Sequence, residues 1–169
     1  MKKLLSLILI AAAAFSLASC GGLEEEFLDN SFVYLAVGSK PSGVVISDYG
    51  AEIRDEGVNP EVNFVLWVTL STAKTDLPAF EVSYDAIPDG LKEGVDYTIK
   101  TESVSPLKFV PGNPGVPIRI TWIHNTGHEG TLTIKLKGSN LSYLQMGYPG
   151  LSASTNKSTF VFTKKSSGN

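Results

Sequence analysis

The sequence predicts an all-β protein, an antiparallel sandwich of about seven to nine strands. Three observations carry that expectation. Apolar residues recur at every second position in run after run, as in strands with one face in a core and one in water. Clusters of glycine, proline and asparagine separate the runs, and each suits a turn. From Phe32 onward no segment shows the 3.6-residue period of an amphipathic helix.

Taken in order, candidate strands fall at 32–37, 43–48, 61–71, 79–85, 95–99, 106–110, 116–123, 131–137 and 158–164. The clearest is 61–71, where Val62, Phe64, Leu66, Val68 and Leu70 alternate with other residues. Its length and regular alternation favour two packed sheets. In 79–85, Phe80, Val82 and Tyr84 alternate with Glu81, Ser83 and Asp85. In 116–123, Val116, Ile118, Ile120 and Trp122 share one face, which makes Trp122 a core residue. In 131–137, Leu132, Ile134 and Leu136 alternate with threonines and lysines. Turns are expected at Pro88-Asp89-Gly90, Pro111 to Gly115, Asn125-Thr126-Gly127 and Pro149-Gly150. Residues 138–157 form a long polar and aromatic excursion, and loops beyond about 12–15 residues are often functional. There is no internal repeat.

Ahead of these strands the chain changes character. Lys2 and Lys3 precede an apolar run from Leu4 to Phe15, and Leu17-Ala18-Ser19-Cys20 follows. A basic start, a short apolar middle and small residues at a cut site make a secretory signal. The run is shorter than the about 20 apolar residues of a comfortable bilayer crossing. The expected organisation is a signal over 1–19, a tether over 20–30 and one domain over 31–169. Cys20 is the sole cysteine, so no intramolecular disulfide is possible. The formal net charge of −3 becomes more negative once Lys2 and Lys3 are removed. A nucleic-acid partner, which wants a basic face, is excluded. No second membrane segment is expected.

The string Leu17-Ala18-Ser19-Cys20 resembles the bacterial lipobox. The resemblance implies lipidation of the Cys20 sulfur, cleavage before it and acylation of the new amine. It implies a membrane partner through the N-terminal lipid, since two or three acyl chains hold essentially permanently. Gly21 follows Cys20, in place of the aspartate that favours inner-membrane retention in enteric bacteria. An outer-membrane lipoprotein is therefore expected, at the cell surface or on the periplasmic face. Glu24-Glu25-Glu26 reads either as a solvated tether or as an export address like that of surface-exposed lipoproteins.

The middle of the chain resembles a Calx-beta domain, an immunoglobulin-like sandwich, over residues 60–137. The matching strings are Leu66-Trp67-Val68-Thr69-Leu70-Ser71, Phe80 to Tyr84, Gly94-Val95-Asp96-Tyr97-Thr98, Leu107 to Gly112, Val116 to Ile123 and Thr131 to Leu136. Similar domains occur in surface lipoproteins of glycan-handling Gram-negative bacteria. Some members of the family bind calcium through clustered acidic loops, and calcium needs six to eight oxygen ligands. Here the segment 124–130 has Glu129 as its only acid, so calcium is not expected. Asp96 is expected to fix its turn.

Other sites follow from residue types. His124 and His128 are the only histidines, and Glu129 is a possible third ligand. A four-residue spacing suits zinc on a helix. In a hairpin connection it carries no such geometry, so an exposed turn is expected and no metal. There is no nucleophile elbow or phosphate loop. The carboxylate pairs Asp55–Glu56 and Asp85–Asp89 fall in turns as solvated charge, and no enzyme or cofactor is expected. Trp67 should point outward with Val65, either to stack on a ligand or to be covered by a neighbouring strand. Tyr143 and Tyr148, in the long excursion, either form a binding platform or cap the sandwich. The function these features favour is a non-enzymatic binding module for a glycan or an envelope protein. The alternative is a structural subunit of a surface complex or fimbria-like array, which could add a strand at a sheet edge.

Overall fold

The computed structural model describes residues 31–54 and 59–166. The signal over 1–19, the tether over 20–30 with Cys20, and the pair Asp55–Glu56 lie outside the described residues. Among the described residues there are eleven strands: β1 (Phe32–Val37), β2 (Val44–Ser47), β3 (Gly50–Arg54), β4 (Glu61–Ser71), β5 (Phe80–Asp89), β6 (Tyr97–Ile99), β7 (Leu107–Phe109), β8 (Gly115–Ile123), β9 (Gly130–Ser139), β10 (Gln145–Met146) and β11 (Thr159–Lys165). They form two sheets, in the orders β10-β1-β4-β8-β6 and β2-β3-β11-β9-β5-β7. The expected β-sandwich is present. Among the described residues no helix is long and apolar enough to cross a membrane.

Two strands beyond the expected nine account for the larger count. One is β3, which lies between β2 and β11. The other is β10, two residues from the excursion that pair with the start of β1. Both bring parallel pairing into an otherwise antiparallel arrangement: β1 with β10, and β3 with β11. Pro88 and Asp89 are a second difference. They continue β5, opposite Leu132 and Thr131 of β9, instead of turning. β7 pairs with β5 only over Phe80–Val82, so the far half of β5 is a sheet edge. A proline is tolerated at an edge because its missing N–H breaks no ladder.

The inner faces follow the alternation. Val33, Leu35, Phe64, Leu66, Val68, Ile118 and Ile120 of one sheet are buried opposite Val82, Leu132, Ile134 and Leu136 of the other. Aromatic rings fill the middle. Phe162 meets Phe64 edge-on at 4.9 Å and Trp122 at 5.3 Å. Phe80 stacks on Phe109 at 4.6 Å. Trp122 is fully buried, in keeping with its inward phase. Each such side chain contributes about 1.5–3 kcal/mol by leaving water.

The excursion closes the side of the sandwich. Gln145 N–H donates to the Ser31 carbonyl (3.1 Å), and Gly147 N–H to the Val33 carbonyl (2.6 Å). Further along, the Lys157 carbonyl accepts from Leu35 N–H and the Ser158 carbonyl from Leu136 N–H, both at 2.8 Å. Two adjacent carbonyls thus tie β1 of one sheet to β9 of the other.

Candidate functional site

On β1, Val33 and Leu35 point into the core, so Phe32 and Tyr34 stand on the outer face, half-buried. Tyr148 comes over them from the excursion. Its ring centroid lies 5.1 Å from Phe32 and 4.9 Å from Tyr34, and those two rings are 5.9 Å apart. The planes are tilted by 38–47°, so no ring lies flat over another. Tyr148 is held by its backbone, whose N–H donates to the Asn156 carbonyl at 2.6 Å. Gly147 makes this approach possible. It has φ +84°, and a Cβ there would come within 2.5 Å of the Asn156 carbonyl oxygen.

Lys157 completes the group, with its ammonium 5.8 Å from the Tyr148 ring centre. Burial raises the Tyr34 hydroxyl's pKa, and the neighbouring Tyr148 hydroxyl raises it further, while the Lys157 charge opposes both. Two phenol hydroxyls and one ammonium therefore converge on the same outward patch.

Trp67 belongs to the same face. It pairs with Ala36 of β1 and Pro117 of β8, while Tyr34 pairs with Thr69. Trp67 and Tyr34 are thus diagonal neighbours, about 7–8 Å apart at the backbone. The indole lies across the sheet, half-buried. Its pyrrole edge is over Gly38, where a Cβ would fall 2.6 Å from Nε1. Its six-membered ring lies near Gly115, where a Cβ would fall 3.3 Å from Cε3. Trp67 therefore points outward, and its neighbours are small enough to let it lie down.

Tyr143 is not brought into this group. It is exposed at the end of the sandwich, with the Lys74 ammonium 4.5 Å from its ring centre. Lys74 also lines a cleft of about 290 Å³ with Leu70, Leu77, Pro78, Val110 and Pro111. Of the three aromatic candidates, the structure gathers Trp67 and Tyr148 on one face and leaves Tyr143 at an end.

The histidine segment corrects an expectation. His124 is buried, not exposed, because it continues the inward phase of Ile118, Ile120 and Trp122 by one step. Neither of its ring nitrogens has a hydrogen-bond partner among the described residues. His128 turns to Asp96, with Nδ1 3.0 Å and 3.1 Å from the two carboxylate oxygens. Glu129 accepts hydrogen bonds from Ser166 N–H and Oγ. The three do not converge, and no group of metal-ligating side chains is present among the described residues.

Asp96 does more than fix a turn. Its carboxylate accepts from Lys92 N–H at 2.9 Å, which does close the turn. It also accepts from Thr126 Oγ1 at 2.5 Å and from the Lys164 ammonium at 3.4 Å. Lys164 in turn donates to Thr126 Oγ1 at 2.5 Å. Asp96 and the Lys164 side chain are both fully buried. Burial is the largest influence on the Asp96 pKa and pushes it up. The hydrogen bonds from Thr126, Lys92, His128 and Lys164 together outweigh it and bring the pKa down to about 2. The carboxylate pair Asp85 and Asp89 stays apart, Asp85 taking Lys137 at 3.1 Å on the surface.

No family model matches the chain, and no curated protein does. Among solved structures, it is similar to a structural-genomics protein of unknown function from Bacteroides ovatus, determined at 2.40 Å. The identity is 10%, the TM-score 0.47, and the match covers 82% of this chain and 52% of that one. The chain spans about half the length of that protein.

Proposed function

We propose that the domain is a non-enzymatic glycan-binding module, held at the outer membrane by lipid on Cys20. The observation that carries this reading is the cluster of Phe32, Tyr34 and Tyr148 on the outer face of β1, with Trp67 beside it. The face of a pyranose presents C–H groups with slight positive charge, and an aromatic face presents negative charge. Tilted, half-covered rings offer such faces. The Tyr34 and Tyr148 hydroxyls supply hydrogen bonds at the rim, as an oriented sugar requires. The Calx-beta resemblance to domains of glycan-handling bacteria points the same way.

The assembly alternative has less support. The outermost strands β10, β6, β2 and β7 have two, three, four and three residues, and the longer edge that β5 leaves beyond Val82 carries Pro88, which cannot donate to an added strand. Short edges are poor templates for an added strand.

One protein tests both parts. Cys20→Ser should move the chain from the membrane fraction to the soluble fraction with its fold intact; retention in the membrane would end the lipoprotein reading. The same soluble protein, printed against a glycan array, should bind a defined set of sugars. Tyr148→Ala should abolish that binding and Trp67→Ala should weaken it. If the array stays blank, or both variants bind as before, the glycan reading fails.

A further inference from the structure

Lys157 is a non-glycine residue with φ +57°, in the left-handed region that β-carbon-bearing residues seldom occupy. Such a conformation persists only where the surroundings over-determine it. Here they do. The Lys157 carbonyl accepts from Leu35 N–H of β1, and Ser158 N–H on its other side donates to Asn156 Oδ1 at 3.0 Å. The Asn156 carbonyl holds Tyr148, as described above. One tripeptide, Asn156-Lys157-Ser158, therefore positions both the Tyr148 ring and the Lys157 ammonium.

The ammonium has no carboxylate within salt-bridge distance among the described residues. Its distance from the Tyr148 ring, 5.8 Å, is near the limit of about 6 Å for a cation–π contact. By contrast, the buried Lys164 is consumed by Asp96, and Lys165 and Lys137 have Glu52 and Asp85. Lys157 is partly buried beside half-covered rings, where a charge is less screened than on open surface. It also lines a groove of about 310 Å³ running along Leu35, Ala36 and Val37 to Ile46 and Asp48. Asp48 sits in that groove and can accept sugar hydroxyls.

From this placement we infer that the aromatic face selects a negatively charged pyranose, its ring on Tyr34 and Tyr148 and its carboxylate or sulfate at the Lys157 ammonium. This rests on the glycan reading and adds the ligand's charge class. The protein's own negative net charge makes the selectivity local, since a neutral sugar meets no opposing field and an acidic one does until it reaches Lys157.

The test uses the full chain carrying Cys20→Ser and matched probes. Oligogalacturonate is compared with its fully methyl-esterified form, and dextran sulfate with dextran, by titration calorimetry. The expected result is that one acidic member of a pair binds about two- to fivefold tighter than its neutral partner, the range of a partly screened ion pair. Which pair shows it separates carboxylate from sulfate. Lys157→Asn, a residue that tolerates the left-handed conformation, should erase the difference. Lys157→Arg should keep the difference. A preference for acid that survives in Lys157→Asn overturns the inference, as does equal binding of acidic and neutral forms in the parent chain. If neutral sugars bind and Lys157 has no effect, the glycan reading stands and this one falls. If no probe binds and the array is blank, both fall.

Discussion

Two regions of the domain handle polar groups in opposite ways. Around Asp96, the buried carboxylate is met by the buried Lys164 ammonium, the Thr126 hydroxyl and the imidazole of half-exposed His128, with the Lys92 N–H closing the turn. Around Tyr148, the rings are half-covered, and the nearby ammonium is left at the rim. The first arrangement fits architecture, because a ligand could enter only by breaking it. The second fits the recognition proposed above, because its rings pack together and yet stay only half-covered. On that reading, a buried ion pair and a perturbed pKa serve architecture instead of marking a site.

The largest expected effect tests the first region. Asp96→Ala leaves Lys164 buried without a counter-charge, which should cost about 3–5 kcal/mol in urea unfolding. Adding Lys164→Met should recover much of that loss, because removing both charges removes the penalty. A mild Asp96→Ala variant would mean that the cluster is solvated and the contrast false.

Next comes the acid limb of stability. The Asp96 pKa of about 2 lies below its ordinary 3.8, so the folded state binds its proton less readily than the unfolded chain. The resulting stabilisation is fully present above pH about 4 and is lost as pH falls through about 2, with a size of about 2 kcal/mol. Unfolding free energy measured between those limits should fall with acidification, and Asp96→Asn should flatten that slope. Unchanged slopes would show that other carboxylates govern the limb.

The smaller effect sharpens the second region. In Gly38→Ala, the new methyl would press on the Trp67 indole, which is rigid and has Gly115 on its other side. The ring must lift, at a cost of about 1–3 kcal/mol. Trp67 emission should shift to the red while Asp96-dependent acid stability stays as before. An unmoved spectrum would mean that the indole already stands free of the sheet.

Much of the fold was legible because period-two alternation is strong in β4, β8 and β9. β3 was missed because it opens with a glycine and runs only from Gly50 to Arg54. β10 was missed because two residues carry no pattern, and its pairing with β1 is set by long-range contacts. The candidate site was half-legible. Trp67 could be placed outward by phase, and the same phase puts Phe32 and Tyr34 outside, since Val33 and Leu35 are core. That Tyr148 would land on them depends on the path of the excursion, which local sequence does not encode. The burial of His124 and Lys164 was available in principle, each being one step along an inward series: Trp122 to His124, and Phe162 to Lys164. The partner of Lys164 was not, because Asp96 lies 68 positions away.

The placement of β1 bears on mechanics. It is bonded along one side to β4 over six residue pairs, and along the other to Gly147 and Lys157. A pull entering the domain at Ser31 and directed along β1 would load these bonds in parallel. Those bonds would then be sheared together, in place of being unzipped one by one. The segment that carries Tyr148 to the aromatic face also braces the strand through which such a force would arrive.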